Sequence, residues 1–417
     1  MKIKTLIWID KTIVYALLFL LNFLVRIIGK ILRIDHRLDK DFKTIVICKY
    51  KGMGSIIQST PLAQSLRSKY KNATIYYVST KANEALLKEI KCIDIIYLID
   101  DSSLFKLLIT VPKVLANLIS KRVDVYIDLE IYSNFSSLIT TLSLAKNRIG
   151  FYLRSSNYRL GIYTHMMYYN VRVPISQTYL QMARLLNCEK INSQLYPLHG
   201  SFKEIGFYLN TDQNNRNQEY IVINPNASDL RIERRWPAEN YVALVNYILQ
   251  KYTNLYVVLI GAPSEKLYVD GIEKKVNPTL KLLNLAGKTS IKELIGIIEN
   301  AKLIITNDSG PMHIAFATST QTLALFGPCD PAQYGNTENC YVLYKKVYCS
   351  PCVHEFQIPP CKGNNQCMKL IDNKTVQEAV DHLLNSAIIK NEELNDENVY
   401  VANNKYEADI LGLITRS

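Results

Sequence analysis

The sequence predicts an α/β protein made of two doubly wound, Rossmann-like halves. Three observations carry this reading: apolar runs that alternate with amphipathic stretches, a polar break after which the alternation restarts, and chemistry-bearing motifs that follow the apolar runs. The first set of runs is TIVIC (44–48), ATIYYVS (73–79), DIIYLID (94–100), VDVYIDL (123–129) and RIGFY (148–152). Helical patterns such as PLAQSLRSKY and FSSLITTLSLAK lie between them. Continuous apolar strands separated by helices imply parallel strands covered on both faces. After TDQNNRNQE (211–219) come YIVIN (220–224), LYVVLIG (255–261), KLIITN (302–307) and QTLALFG (321–327). A chain of 417 residues has room for two or three domains. The expected division is an N-terminal helix at 1–40, a first domain at 41–205, a second at 206–388 and a polar, loosely ordered tail at 389–417. The stretch 190–218 is read as the linker between the halves.

Charge is unevenly distributed. The chain carries 49 Lys+Arg against 37 Asp+Glu, a formal net charge of +12. Residues 1–51 alone hold eight Lys and three Arg against four Asp, beside the longest apolar run, TIVYALLFLLNFLV (12–25). This points to an anionic membrane surface rather than nucleic acid, for which no motif is present. The run is shorter than the roughly 20 apolar residues of a standard span. On a helix over 11–34, Lys11, Tyr15, Asn22, Arg26, Lys30 and Arg33 fall on one stripe. The reading is a helix in the membrane interface with its cations toward headgroups; a true span and a buried core helix are the alternatives. No secretory leader follows, so the expected location is cytoplasmic, peripheral to the inner face of the cytoplasmic membrane.

The strongest motif is NDSGPMHIA (307–315), directly after KLIIT. Asp308 and Ser309 stand in a strand-to-helix turn, Gly310 allows close backbone approach, and Pro311 suits a helix start. Unpaired N–H groups at such a start suit a diphosphate. A second segment, INPNASDLRIERRWPAENY (223–241), follows another strand, and KGMGSIIQSTPLAQSLRSKY (51–70) follows the first.

Taken with ALFGPCDPAQYG (324–335), these segments closely resemble the ADP-heptose transferases of lipopolysaccharide assembly, glycosyltransferase family 9. The resemblance covers most of 44–385. It implies a GT-B fold, two Rossmann-like domains facing a cleft, with acceptor binding in the N-terminal half and nucleotide-sugar binding in the C-terminal half. It also implies an inverting reaction that needs no metal for the chemistry.

Residue roles follow from the resemblance. Arg234, two before Trp236, matches the cation that grips the donor diphosphate, where it would stabilise charge on the leaving group; Arg235 is the second choice. Asn226 and Ser228 lie in the same phosphate-binding segment. Glu265, in LIGAPSE (259–265), matches a ribose contact, its alternative being a helix N-terminal acid. Asp308, Ser309, Gly310, Pro311, Met312 and His313 are expected to line the donor site. Gly52, Gly54 and Ser55 form the acceptor-side loop. Here the chain departs from the family, which commonly places a general-base Asp where this sequence has Ser55. Asp128 and Glu130, at the end of VDVYIDLE, are the candidates to replace it, with Glu130 preferred because it lies further into the loop.

Four cysteines, Cys349, Cys352, Cys361 and Cys367, are spaced C-x2-C-x8-C-x5-C. They could wrap a structural zinc or iron, pair as disulfides, or stay reduced thiols. The expected function is glycosyl transfer, heptose from ADP-heptose, onto a lipopolysaccharide-core or other lipid-linked glycan. The alternatives are a catalytically silent, membrane-associated sugar-nucleotide-binding protein and a nucleotide-sugar epimerase or hydrolase of the same fold.

Overall fold

The computed structural model describes residues 8–201, 219–227, 229–335, 337–353, 359, 361–385 and 399–400. The chain divides into two compact units, Met1–Val171 with Ile175–Tyr196, and Arg172–Pro174 with Pro197–Ser417. Most of the expected linker and tail lies outside the described residues.

In the first unit a π-turn, Asp10–Val14, leads into α1 (Tyr15–Leu32). Then come β1 (Thr44–Cys48), α2 (Met53–Gln58), α3 (Thr60–Lys69), β2 (Thr74–Thr80), α4 (Glu84–Leu87), β3 (Ile95–Ile99) and α5 (Leu104–Ser120). The unit continues with β4 (Val125–Asp128), α6 (Asn134–Leu142), β5 (Asn147–Tyr152), β6 (His165–Tyr168) and α7 (Ile175–Leu185). The strands form one parallel sheet in the order β3-β2-β1-β4-β5-β6. Ile45 through Cys48 of β1 are all buried, because helices cover both sheet faces. β6, HMMY, was not legible as a strand: it is a short edge with no buried position.

The second unit repeats the plan with β7 (Tyr220–Asn224), α8 (Ala238–Lys251), β8 (Tyr256–Leu259), α9 (Lys266–Glu273), β9 (Leu282–Asn284) and α10 (Ile291–Glu299). It goes on through β10 (Leu303–Asn307), α11 (Gly310–Ala317), β11 (Thr322–Phe326), α12 (Pro331–Tyr334), β12 (Cys340–Tyr344), α13 (Gln366–Lys369), α14 (Asn373–Asn385) and β13 (Val399–Tyr400). The sheet order is β13-β12-β11-β10-β7-β8-β9, parallel except for β13, which pairs antiparallel with β12. Part of the expected loose tail is therefore an edge strand. Trp236, fully buried, anchors the core edge-on to Tyr241 at 5.0 Å. Its indole donates to the Ile371 carbonyl at 2.8 Å.

The N-terminal helix corrects one expectation. Its polar stripe does not all point away from the protein. Asn22 donates to the Tyr158 and Leu160 carbonyls at 2.6 and 2.7 Å, and Arg26 donates to Leu160 at 2.7 Å. Tyr15 packs edge-on against Tyr158 at 5.2 Å. Val14 and Leu18 are buried against Ile162 and Tyr163, worth about 1.5–3 kcal/mol each. The Asp10 carboxylate accepts from the Asn134 and Phe135 amides at the start of α6. The 158–160 turn leaves carbonyls that need donors, and the stripe supplies them. The outward faces of α1 are therefore apolar, with Phe19, Leu20, Phe23 and Ile31 each more than 60% exposed. The helix is long and apolar enough to cross a membrane by length and composition.

Candidate active site

Two clusters of polar side chains gather at strand carboxyl ends, one in each unit. In the first, register pairs Cys48 of β1 with Asp128 of β4, so the residues that follow both strands meet. Lys49 forms an ion pair with Glu130 at 2.9 Å, both side chains nearly buried. The other Glu130 oxygen accepts from the amides of Tyr50 and Lys51 at 2.8 and 3.1 Å. Burial acts to raise the pKa of Glu130, but the Lys49 ammonium and the two amides outweigh it and hold the carboxyl below its ordinary range. Asp128 is fully buried; it takes the Tyr163 hydroxyl and the Glu130 amide. There burial wins, and the Asp128 pKa rises. The two carboxylates thus differ sharply: Glu130 is the anion at the loop, Asp128 a sealed group beneath it.

The surrounding loops are held from several sides. Ser79 donates to the Lys49 carbonyl at 2.6 Å, and Asn83 to the Tyr50 carbonyl at 2.8 Å. Arg159, fully buried, donates to the carbonyls of Glu130 and Ser133 at 3.2 and 3.0 Å. This is the same 158–160 turn that Asn22 and Arg26 grip, so α1 is tied to the loop after β4. Gly52 needs its positive φ of 88° to turn the chain into α2, and Gly54 is buried. Ser55 shares a hydrogen bond with the Tyr179 hydroxyl.

The second cluster lies where β7 and β10 end. Arg234 approaches Asp308 at 3.3 Å, and Arg234 keeps 21% of its side chain exposed. Its Nε and the Asp308 Oδ2 have no hydrogen-bond partner. Arg235 turns away: it donates to the Ala227 carbonyl at 3.0 Å and lies over the Tyr268 ring at 4.7 Å. The start of α11 at Gly310 and Pro311 has no side-chain cap, because the Ser309 hydroxyl is engaged by Asn224 at 2.8 Å. Its first amides stay available to an anion. Asn226 is buried and donates to the Ile260 carbonyl at 2.8 Å, fastening β7 to β8. Burial drives the His313 pKa down to about 4, with Asp308 opposing and Arg234 adding, so the imidazole is neutral near pH 7. It packs edge-on against Phe316 and Tyr334. Met312 is fully buried in the core. Glu265 caps its own turn, accepting from the Ala262 amide at 2.8 Å. Ser228 lies outside the described residues.

The cysteine segment packs behind this second cluster. All nine cysteines are free thiols. Cys352 and Cys367 are raised by burial first and then by the other thiols of the set, so the four stand near one another. Even so, among the described residues no group of three or more His, Cys, Asp or Glu is arranged to hold a metal ion. The Cys352 amide donates to the Pro328 carbonyl at 2.9 Å. Asn365 donates to the carbonyls of Glu233 and Arg235 at 2.9 and 2.8 Å, on both sides of Arg234.

A model of glycosyltransferase family 9 (heptosyltransferase) matches residues 112–362, more than half of the chain. The chain belongs to glycosyltransferase family 9. That membership makes it a glycosyltransferase by family, and the relatives agree. It is 32% identical over 175 residues to lipooligosaccharide heptosyltransferase 2 of Campylobacter jejuni, covering 41% of this chain and 53% of that protein. It is 24% identical over 319 residues to the lipopolysaccharide core heptosyltransferase OpsX of Haemophilus influenzae, covering 73% of this chain and 85% of the relative. The solved structure of E. coli ADP-heptose LPS heptosyltransferase II superposes with a TM-score of 0.66 at 22% identity, over 82% of this chain and 98% of that one. Its likeness shows the fold, the GT-B type that the motifs implied.

Within this family member, sequence reasoning missed Lys49, Ser79, Asn83 and Arg159 around the first cluster and Asn365 around the second. The clearest available signal was the run VSTKAN (78–83), polar residues set directly after an apolar strand. Arg159, in a segment without periodicity, gave none.

Proposed function

We propose that the chain is an inverting glycosyltransferase that moves heptose from ADP-heptose onto a lipopolysaccharide-core or other lipid-linked glycan, at the inner face of the cytoplasmic membrane. One observation supports this most: a partly exposed Arg234 guanidinium stands beside the uncapped start of α11. That combination suits a diphosphate whose leaving charge must be neutralised. Asp308 orients Arg234, while Ser309 is held by Asn224.

On the acceptor side, Glu130 takes the proton from the attacking hydroxyl as the new glycosidic bond forms and the bond to the nucleotide diphosphate breaks. Its Lys49-paired anion is ready at neutral pH. Ser55, hydrogen-bonded to Tyr179, orients the loop. The departure at Ser55 also favours a second reading, a silent sugar-nucleotide-binding protein.

The deciding experiment is nucleotide release from ADP-heptose with and without membrane glycolipid extracts. Acceptor-dependent ADP release supports transfer. Release without acceptor indicates hydrolysis or epimerisation, and tight binding without turnover the silent reading. A structural zinc or iron at the four thiols belongs to the proposal as a measured quantity: about one equivalent in protein prepared without chelator supports it, and less than about a tenth assigns plain thiols.

A further inference from the structure

The helix α5 is apolar on both sides. Its inner stripe, Leu107, Val111, Val114 and Leu118, packs over Val46, Val78 and Tyr126 of the first sheet. A surface helix needs only that stripe, and its outer face is normally polar. Here the outer face carries Phe105 at 72% exposure, Leu108 at 65%, Ile109 at 39% and Ile119 at 43%. Positions 105, 108, 109, 112, 116 and 119 follow helical spacing, and the last three are Pro112, Ala116 and Ile119. The only charged residues from 104 to 122 are Lys106, Lys113, Lys121 and Arg122.

This helix shares a sheet face with α1. Tyr126 and Asp128 are two apart on β4 and so point to the same side. Tyr126 packs under α5, while Asp128 takes the hydroxyl of Tyr163, which packs against Val14 and Leu18 at the start of α1. Phe135 of α6 packs against the α5 cluster and Leu138 against the α1 cluster. The helices α5, α6 and α1 therefore form one layer, and the two outer members of that layer turn apolar side chains outward. From Lys11 to Arg33, α1 also carries only cations: Lys11, Arg26, Lys30 and Arg33.

We propose that α5 is a second membrane-contacting element, which seats the first unit on an anionic bilayer together with α1. Apolar side chains enter the acyl boundary while flanking lysines and arginines meet headgroup phosphates. Lys106 pairs with Asp100 at 3.7 Å, and the other charges from 104 to 122, Lys113, Lys121 and Arg122, are all cationic, which selects this occupant: a second copy would bring a like-charged face against it. A two-point seat fixes the orientation of the unit on the bilayer, which one helix by itself leaves free to swivel. The proposal rests on the membrane reading of α1.

The test is co-sedimentation of the full-length protein with vesicles of phosphatidylethanolamine and phosphatidylglycerol, and with phosphatidylcholine alone. Phe105→Ser/Leu108→Ser should lower partitioning about tenfold or more, with circular dichroism and melting temperature unchanged, because both side chains are mostly exposed. Replacing Lys113, Lys121 and Arg122 by Gln should cost about fivefold for each cation removed on the anionic vesicles, and nothing on phosphatidylcholine. If the wild-type protein stays in the supernatant, the membrane reading itself fails and this inference with it. If wild type and both α5 variants sediment alike, α1 anchors by itself and only the α5 proposal is overturned. Loss of a dimer in the apolar variant, with vesicle binding intact, would assign the face to self-association and overturn it as well.

Discussion

The two strand-end clusters use the same device, a cation paired with a carboxylate, and differ in how completely the pair is satisfied. In the first unit Lys49 and Glu130 sit 2.9 Å apart, and Glu130 also accepts two backbone amides. In the second, Arg234 and Asp308 are 3.3 Å apart, with the Arg234 Nε and Asp308 Oδ2 both lacking hydrogen-bond partners. A buried pair of this kind holds loops in place, and with three of roughly four acceptor positions of the carboxylate taken it still has room for one hydroxyl. In the second pair the Arg234 side chain keeps 21% of its surface exposed, so an incoming anion can meet its guanidinium. The comparison teaches that the pair in the second unit leaves its cation within reach of solvent, whereas the pair in the first is closed over and held by backbone amides.

The comparison breaks most visibly at Glu130. Glu130→Gln should lower transfer about 10²–10⁴-fold as the loss of a general base, with donor affinity unchanged by calorimetry. It should also destabilise the fold by about 3–5 kcal/mol, since Lys49 is left buried and unpaired. The double variant Lys49→Met/Glu130→Gln removes both charges and separates the two effects: stability returns and transfer does not. Recovery of transfer in the double variant would reduce the pair to scaffolding. A large loss in Asp128→Asn alone, with near-normal Glu130→Gln, would move the base to Asp128.

Arg234→Ala probes the under-satisfied pair. Loss of a charge-assisted hydrogen bond is worth about 1.5–3 kcal/mol, so donor affinity should fall roughly ten- to hundredfold. Arg235→Ala should leave donor affinity nearly unchanged, because Arg235 is spent on Ala227 and Tyr268. Equal losses in the two variants would erase the distinction drawn between them.

A pH profile sharpens the contrast between the carboxylates. A base must be deprotonated to act, so kcat/KM declines as pH falls through the base's folded pKa. The Glu130 pKa is lowered, so with Glu130 as base activity persists through the ordinary glutamate range and declines only below it. The Asp128 pKa is raised, so with Asp128 as base the decline begins above the ordinary aspartate range. The position of the acid limb, measured on protein that remains folded by circular dichroism, distinguishes them.

The smallest effect is expected at Asn365, which touches no predicted ligand but clamps the carbonyls on both sides of Arg234. Two neutral hydrogen bonds of about 0.5–1.5 kcal/mol each are lost in Asn365→Ala. Part of that loss should surface as a donor Kd about three- to tenfold weaker, with kcat little changed. A lower melting temperature with an unchanged donor Kd would confine Asn365 to stability.

The second cluster was more legible in sequence than the first. Asp308, Ser309 and Gly310 lie consecutively in a strand-to-helix turn, and Arg234 stands near its Trp236 landmark, so local order displays most of the cluster. The Glu130 cluster joins Lys49, Ser79, Asn83, Glu130 and Arg159, drawn from four separate segments. No local pattern announces such a set, because only the register of β1 against β2 and β4 brings the segments together. Glu265 and Met312 were named from their motif positions, and the structure adds that Glu265 accepts from the Ala262 amide in its own turn while Met312 is buried.

By itself, the sequence determined the two doubly wound units, the family, and the place of the motifs after strands, since each depends on apolar periodicity or on contiguous residues. Tertiary structure alone decided which carboxylate is a ready anion and which is sealed, since desolvation and a Lys49 partner 81 positions before Glu130 set opposite pKa directions two residues apart. It also decided which way α1 faces. The helical stripe of Tyr15, Asn22 and Arg26 is plain in the sequence, but its partners are backbone carbonyls of the 158–160 turn, and a carbonyl's need for a donor leaves no mark on the side chains that spell the sequence.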